Sequence, residues 1–277
     1  MRILLVEAPA GTTSQALLLF SLSYFIGVFG FPLLAGKIIV EQGMATLLLT
    51  VLAMPLATPA RADPGDVDAA ARGVVRVVII GEEGGQPVPV SHGTGFAVSP
   101  TRIVTNAHVV AEAVQDDTLR IGIVPSEGDG GAFARVIAIS PRNDLALLEI
   151  AKGSLRLPPL ALAGGGASSQ GEVAAVGYPM NVDLAQGLDM ADIFRAQPPV
   201  KSRGFLSGER PSRQFDTILH TAPIARGNSG GPLVNMAGEV IGVVTAILNP
   251  TSARTFIGIA FAATIESAGT ALGVPPF

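Results

Sequence analysis

Short apolar runs, separated by clusters of Gly, Pro, Asn and Ser, make up most of the chain after residue 62. Runs at a spacing of roughly 8–12 residues are typical of an all-β sandwich or barrel. Twelve of them are predicted to be strands, over residues 74–80, 94–98, 102–105, 119–124, 132–139, 146–150, 173–177, 200–206, 217–221, 232–235, 240–248 and 255–261. Twelve strands within residues 63–277 fit two six-stranded antiparallel β-barrels.

The boundary between the predicted barrels falls at a stretch rich in glycine and serine, LAGGGASSQG, at residues 162–171. Such a composition is typical of a linker, so we expect barrel one over about residues 70–161 and barrel two over about 172–262. The segment AATIESAGTALG predicts one short closing helix, with Gly273 as its C-cap. Strands do not alternate with helices, which argues against a parallel α/β sheet.

The N-terminal part of the chain has a different pattern. Residues 16–36 contain 21 consecutive uncharged positions, about the ~20 that a membrane-spanning helix needs. A second apolar stretch, 44–62, ends in Ala60-Arg61-Ala62, and small residues two apart after an apolar run are typical of a signal-peptidase site. We therefore predict an export signal in residues 1–62, cleaved after Ala62, and a periplasmic or secreted domain at 63–277. The alternative is an uncleaved membrane anchor at residues 16–36.

Composition and charge exclude several classes of function. The net charge is −4 and no basic run occurs, so we expect no nucleic-acid partner. Cysteine is absent, which excludes disulfides, thiolate catalysis and Cys-based metal sites. We predict neither a metal site nor a cofactor.

One serine lies in an unusual setting, GNSGG at residues 227–231. Serine is a weak nucleophile unless a base removes its proton, and histidine is the usual base because its pKa lies near neutrality. The chain has only three histidines, His92, His108 and His220. GNSGG matches the G-x-S-x-G turn of α/β-hydrolases, but that fold needs a histidine after the serine. All three histidines precede Ser229, so the α/β-hydrolase interpretation fails.

The chymotrypsin triad has the order His, Asp, Ser along the chain. His108 lies in RIVTNAHVV, at a predicted strand end, and Asp144 lies in SPRNDLALLEI, at the start of the next strong strand. Asp116 and Asp117 are the nearest competing acids. Barrel one would then supply a base and an acid, and barrel two would supply Ser229, in a cleft between them.

Three segments in this order, TNAHVV, NDLALLEI and GNSGGPLVN, resemble the trypsin-like serine proteases of the HtrA/Deg type. GEVIGVVTAIL and IGIAFA are similar to that family's closing strands, so the resemblance covers about residues 70–265. It implies a chymotrypsin-like fold in which Ser229 attacks the scissile carbonyl. It also implies that His108 takes the serine proton and that Asp144 orients the imidazole.

The resemblance also implies an oxyanion hole in the backbone of Gly227, Asn228 and Ser229, with the N–H groups of Gly227 and Ser229 as donors. Substrate would contact Ile224, Thr245 and Ala246. No acid occurs in TAPIARG or GVVTAIL, so we expect cleavage after a small or medium apolar residue. The family usually carries PDZ domains, and we expect none in this chain.

The sequence therefore predicts a serine endopeptidase that acts on polypeptides. Two alternatives stay open: a non-catalytic binding protein on a protease scaffold, and a serine esterase with the same triad. We expect His92 to be a solvated loop residue, His220 to be structural, and residues 180–202 to form a long loop that shapes the site.

Overall fold

The computed structural model describes residues 64–151, 153, 155–163, 171–188, 191–211, 216–245 and 260–272. The predicted export segment therefore lies outside the described residues, as does most of the predicted break between the barrels. Within the described ranges, no helix is long and apolar enough to cross a bilayer.

In this part of the chain, twelve strands form two closed barrels of six strands each. Barrel one has the strand order β1-β2-β3-β6-β5-β4, barrel two has the order β10-β11-β12-β9-β8-β7, and neighbouring strands are antiparallel. The strands are β1 Val74–Glu83, β2 Gln86–Ser99, β3 Arg102–Thr105, β4 Arg120–Pro125, β5 Ala132–Ser140, β6 Leu145–Ile150, β7 Glu172–Gly177, β8 Val200–Pro211, β9 Asp216–His220, β10 Pro232–Asn235, β11 Val240–Thr245 and β12 Ala260–Thr264. The predicted fold class is confirmed.

Four α-helices accompany the strands within the described residues: α1 Pro64–Ala71, α2 Ala107–Gln115, α3 Met180–Ala185 and α4 Ile265–Leu272. Only α4 was predicted. Residues 180–202 are thus not one continuous loop, because α3 and a 3₁₀ turn at Asp192–Phe194 lie within them. Helices as short as α2 and α3 are not stable alone and depend on tertiary packing, so the sequence shows them only weakly.

Apolar residues fill three cores: the interior of each barrel and the interface between the barrels. Strand β6 shows how one strand serves two of them. Leu145 and Leu147 lie in the interface core, whereas Ala146 and Leu148 lie inside barrel one. Successive side chains of a strand point to opposite faces, so a strand buried on both faces is a continuous apolar run. This double burial holds the two barrels together.

The strand register of barrel one determines which connecting segments lie side by side at its edge. Strands β3 and β6 pair with Thr105 opposite Ala146. The segment that leaves β3 toward α2 and the turn that enters β6 therefore lie side by side. His108 is in the first of these segments and Asp144 is in the second.

Candidate active site

His108 and Asp144 are in direct contact. Asp144 Oδ2 lies 2.8 Å from His108 Nδ1, and Asp144 Oδ1 accepts the backbone N–H of His108 at 2.9 Å. Both carboxylate oxygens thus bind the same residue. A carboxylate that accepts a hydrogen bond from Nδ1–H leaves Nε2 as the basic nitrogen of the ring. The imidazole is about half exposed, so Nε2 can be reached by a substrate.

The backbone of Asp144 adopts a strained conformation. Its φ is 53°, and it is the one non-glycine residue with positive φ in the described part of the chain. Asp144 follows a 3₁₀ turn, and the side-chain amide of Asn106 donates to its carbonyl at 2.8 Å. Non-glycine residues with positive φ are uncommon, although Asp is among the types that tolerate the left-handed region, and such residues concentrate at functional sites. The surrounding contacts therefore fix where the carboxylate points.

Helix α2 adds an electrostatic reason for this arrangement. Its N-cap, Asn106, makes no side-chain capping hydrogen bond, and the Asp144 carboxylate accepts the N–H of His108 in the first turn instead. Anionic groups are stabilised at helix N-termini, where backbone N–H groups are unpaired. Asp144 thus both orients the ring of His108 and completes the start of the helix that carries it.

Ser229 lies in a turn that is bonded to both barrels. Its carbonyl accepts the N–H of Thr94 from β2 in barrel one at 2.9 Å. The next residue, Gly230, donates its N–H to the carbonyl of Val244 on β11 in barrel two at 2.8 Å. The serine is only 5% exposed. These bonds fix the turn across the interface between the barrels.

Gly230 shows how closely this turn packs on the segment before His108. Its φ is +84°, and a Cβ there would lie 2.3 Å from Thr105 Oγ1 and 2.8 Å from the backbone nitrogen of Asn106. Any side chain would force the turn away from β3. Only glycine fits at this position.

A second glycine, Gly93, brings Ser229 next to the residue that follows His108. A Cβ on Gly93 would lie 3.2 Å from Ser229 O and 2.7 Å from Val109 Cγ2. The structure therefore brings the three predicted triad residues into one region. The hydrogen bonds of the described residues include the His108–Asp144 pair, but none joins His108 to Ser229. Their role as a triad stays a prediction.

The predicted oxyanion hole lies in the same turn. Gly227 has φ +95°, and a Cβ on it would lie 2.1 Å from the carbonyl oxygen of Tyr178. The hydroxyl of Thr94 donates to Gly227 O at 2.6 Å and accepts the N–H of Tyr178 at 3.0 Å. Within the described part of the chain, the N–H groups of Gly227 and Ser229 donate to no protein acceptor. Their role as oxyanion donors stays a prediction.

Of the three residues predicted to contact substrate, two lie in the described part of barrel two. Ile224 is buried and belongs to the core of barrel two. Thr245 is buried at the end of β11, and Ala246 lies outside the described residues. Arg226, at the edge of the site, is exposed.

His220 is fully buried on β9, and among the described residues neither ring nitrogen finds a partner with good hydrogen-bond geometry. Burial lowers the pKa of His220 to about 4, and a hydrogen bond from the ring to the backbone of Ala222 opposes this shift. A neutral, buried imidazole agrees with the structural role expected for it.

The prediction for His92 is wrong. Its side chain is only 4% exposed, and Nε2 lies 3.4 Å from Asp183 Oδ2. Asp183 also accepts a hydrogen bond from Arg76 at 3.0 Å. Arg76 and Asp183 were missed as well, because 107 positions separate them. The one available signal was a single arginine within the apolar run VVRVVII.

We call Arg76, His92 and Asp183 the buried polar cluster. Burial lowers the pKa of His92, Arg76 lowers it further, and Asp183 opposes both effects. The ring of Tyr178 lies 4.7 Å from the guanidinium carbon of Arg76. Burial also raises the pKa of the Tyr178 hydroxyl, so the phenol is neutral. The cluster therefore holds one positive and one negative charge.

Comparison with known proteins agrees with this fold and site. The trypsin-like peptidase domain family matches residues 93–243, more than half of the chain. The chain belongs to this family, as the three motifs predicted.

Among curated proteins, the chain is 38% identical over 213 residues to the mitochondrial serine protease HTRA2 of Bos taurus, covering 74% of this chain and 43% of that protein. It is 34% identical over 156 residues to the serine protease Rv3671c of Mycobacterium tuberculosis, covering 56% and 36%. It is 33% identical over 187 residues to a probable periplasmic serine endoprotease, DegP-like, of Brucella suis, covering 64% and 31%. The chain thus spans well under half the length of these relatives.

Solved structures show the same fold. The inactive form of the Rv3671c protease superimposes with a TM-score of 0.56 at 24% identity, covering 78% of this chain and 94% of that one. The HtrA-type protease AlgW with a tripeptide also gives a TM-score of 0.56 at 24% identity, covering 74% and 61%. The HtrA-type resemblance predicted from the sequence is confirmed.

Proposed function

We propose that this chain is a serine endopeptidase that uses Ser229, His108 and Asp144. The observation on which this rests is the two-point contact of Asp144 with His108 beside the turn that carries Ser229. The relatives named as serine proteases support the same activity. An orienting acid, a half-exposed imidazole and an adjacent serine are the parts that acyl transfer needs.

The residues act in a fixed order in this proposal. Ser229 Oγ attacks the scissile carbonyl while His108 Nε2 takes its proton, and Asp144 stabilises the imidazolium that forms. The carbonyl oxygen becomes an oxyanion bound by the N–H groups of Gly227 and Ser229. One such donor lowers the barrier by roughly 2.7–4 kcal/mol. His108 then gives its proton to the leaving amine, and water hydrolyses the acyl-enzyme by the same proton transfers in reverse.

The substrate preference follows from the charge around the site. We propose cleavage after a small or medium apolar residue, with Ile224, Thr245 and Ala246 near the side chain before the scissile bond. No aspartate or glutamate occurs in the two sequence segments expected to form that pocket. A basic side chain would find no counter-charge there. An extended polypeptide would pair, as an added strand, with backbone groups of Thr245 and Ala246.

We also propose that residues 1–62 direct export of a protease domain at 63–277. The apolar stretches and the Ala60-Arg61-Ala62 pattern support this. The periplasmic DegP-like relatives of Brucella support it too. Retention of residues 16–36 as an anchor is the alternative.

Labelling with a fluorophosphonate probe tests the proposed chemistry. We expect covalent labelling at Ser229, cleavage of casein, and loss of both in Ser229→Ala with the thermal melting temperature nearly unchanged. Labelling and ester hydrolysis without any peptide cleavage would favour the serine esterase. A folded protein that is not labelled would favour the binding scaffold and contradict the proposal.

A further inference from the structure

The buried polar cluster joins barrel one to the helix that follows β7. Arg76 lies on β1, Asp183 lies on α3, and Arg76 Nη2 binds Asp183 Oδ1 at 3.0 Å. The side chains are 2% and 12% exposed, so solvent screens the pair little. Arg76 and Asp183 are 107 positions apart along the chain. Apolar side chains could fill the same buried space.

A buried ion pair is weak grounds for a stabilising role. Desolvation offsets most of its Coulomb energy, and apolar pairs of similar volume often serve as well. What an ion pair adds is a fixed geometry for the two elements that it joins. Here those elements are β1 and α3.

Helix α3 begins at Met180, which is hydrogen-bonded to the turn that contains the predicted oxyanion hole. The N–H of Met180 donates to the carbonyl of Arg226 at 2.7 Å. That carbonyl belongs to the peptide unit whose N–H is the N–H of Gly227. Carbonyl and N–H point in opposite directions in a trans peptide, and no cis peptide occurs in the described residues. The bond from Met180 therefore fixes the direction in which the Gly227 N–H points.

His92 fills the space between the ion pair and this turn. Its Cε1 atom lies 3.2 Å from where a Cβ of Gly227 would be, and its Nε2 lies 3.4 Å from Asp183 Oδ2. The ring thus lies between the carboxylate and the turn, in the space that a side chain at residue 227 would enter. A shift of Asp183 would therefore reach Gly227 through His92 as well as through Met180.

We propose that Asp183 is a positioning residue for the peptide unit between Arg226 and Gly227. Its ion pair with Arg76 holds α3, and α3 holds the carbonyl of Arg226 so that the Gly227 N–H faces the oxyanion. This inference rests on the proposed function, because it assigns a role to Gly227 in catalysis. It adds a residue that does not itself touch substrate.

The substitution Asp183→Asn tests the inference. It keeps the shape of the side chain and removes the charge. We expect the limiting rate constant for phosphonylation of Ser229 by a peptidyl fluorophosphonate, with loss of fluoride, to fall roughly tenfold or more, since a misaligned donor weakens oxyanion stabilisation. The probe concentration that gives half of the limiting rate should change less than about twofold, because Asp183 does not touch the probe.

Glu149→Gln is the matched control. Glu149 also pairs with an arginine, Arg135, in barrel one, but Arg135 is largely exposed and the pair lies between β5 and β6. Like Asp183→Asn, this substitution converts a carboxylate to an amide. Both kinetic constants should stay at wild-type values.

Each outcome decides between the two proposals. A folded Asp183→Asn variant that is phosphonylated at the wild-type rate would overturn the positioning role and leave the proposed function intact. A wild-type protein that is not labelled would overturn the proposed function and this inference together. If Asp183→Asn does not fold, the double variant Arg76→Met with Asp183→Leu removes both charges at once. We expect the double variant to fold and to be phosphonylated slowly, and a wild-type rate in it would also overturn the positioning role.

Discussion

Asp144 contacts His108 through both of its carboxylate oxygens, one on the ring nitrogen Nδ1 and one on the backbone N–H. The second contact is independent of the side-chain rotamer of the histidine. It fixes the start of α2 relative to the turn before β6, while the first contact fixes the ring. The two roles can be separated by a substitution that spares the backbone contact.

The substitution Asp144→Asn makes that separation. Asparagine tolerates the left-handed backbone conformation of residue 144, and its carbonyl can still accept the N–H of His108. It removes the negative charge and can present an N–H to Nδ1, which favours the wrong tautomer. We expect turnover of a peptide substrate to fall on the order of 10⁴-fold, with the melting temperature nearly unchanged.

Asp116→Asn is the control for this prediction. Asp116 lies at the other end of α2, where its Oδ1 accepts hydrogen bonds from the backbone N–H and the hydroxyl of Thr118. These bonds lower the pKa of Asp116, and none of them reaches His108. Its replacement should leave turnover unchanged. If Asp144→Asn lowers turnover only a few-fold, another acid orients His108 and the proposed triad is wrong.

The strands could be predicted from the sequence because each has a local signature. For example, β3 was predicted at residues 102–105 and forms at Arg102–Thr105, between a turn and the small residues that open α2. The candidate triad could be predicted because each member lies in a distinctive motif. The pairing of Thr105 with Ala146 then places two of these motifs together.

The buried polar cluster could not be predicted in the same way. Arg76 lies in an apolar strand and Asp183 lies in a segment with no clear period. Apart from the apolar run around Arg76, nothing local distinguishes either residue from a solvated charge. Their significance comes from a contact across 107 positions, which only the packing of the two barrels creates.

Replacement of Gly227 by alanine should disrupt the site far more than a glycine change of equal backbone strain elsewhere. A Cβ at residue 227 would meet the carbonyl of Tyr178 at 2.1 Å, so the turn must move. We expect Gly227→Ala to lower the rate of fluorophosphonate labelling about 100-fold or more, the size of a lost oxyanion donor.

Gly128→Ala is the matched control for Gly227→Ala. Gly128 has φ +87°, close to the +95° of Gly227, but a Cβ there would meet nothing within 4 Å. It should cost about 1 kcal/mol of stability through the backbone alone and leave labelling unchanged, as measured by urea unfolding and probe kinetics. Equal labelling of the two variants would contradict a role for Gly227 in the site.

The proposed export signal makes a separate prediction. Expression of the full chain in a bacterial host, followed by N-terminal sequencing of the exported protein, should give Asp63 as the first residue. The small residues Ala60 and Ala62 fit the cleavage pattern, so Ala62→Leu should block processing. A mature protein that retains residues 16–36 in the membrane fraction would establish the anchor instead.

His220 should make the fold sensitive to acid. Its pKa is about 4 in the folded protein against an ordinary value of 6.5. Below pH 6.5 the unfolded chain therefore binds a proton that the folded chain excludes, and stability is lost as the pH falls toward 4. Between pH 7.5 and pH 5 this histidine should reduce the free energy of unfolding by about 2 kcal/mol.

Urea unfolding at the two pH values measures this loss, and the variant His220→Leu isolates it. Leucine fills a similar buried volume and cannot titrate, so the variant should lose about 2 kcal/mol less than the wild type over the same interval. His92, whose pKa is also lowered by burial, acts in the same direction in both proteins and cancels in the difference. Identical pH dependence in the two proteins would mean that His220 gains a proton without unfolding, and its neutral, structural role would then be wrong.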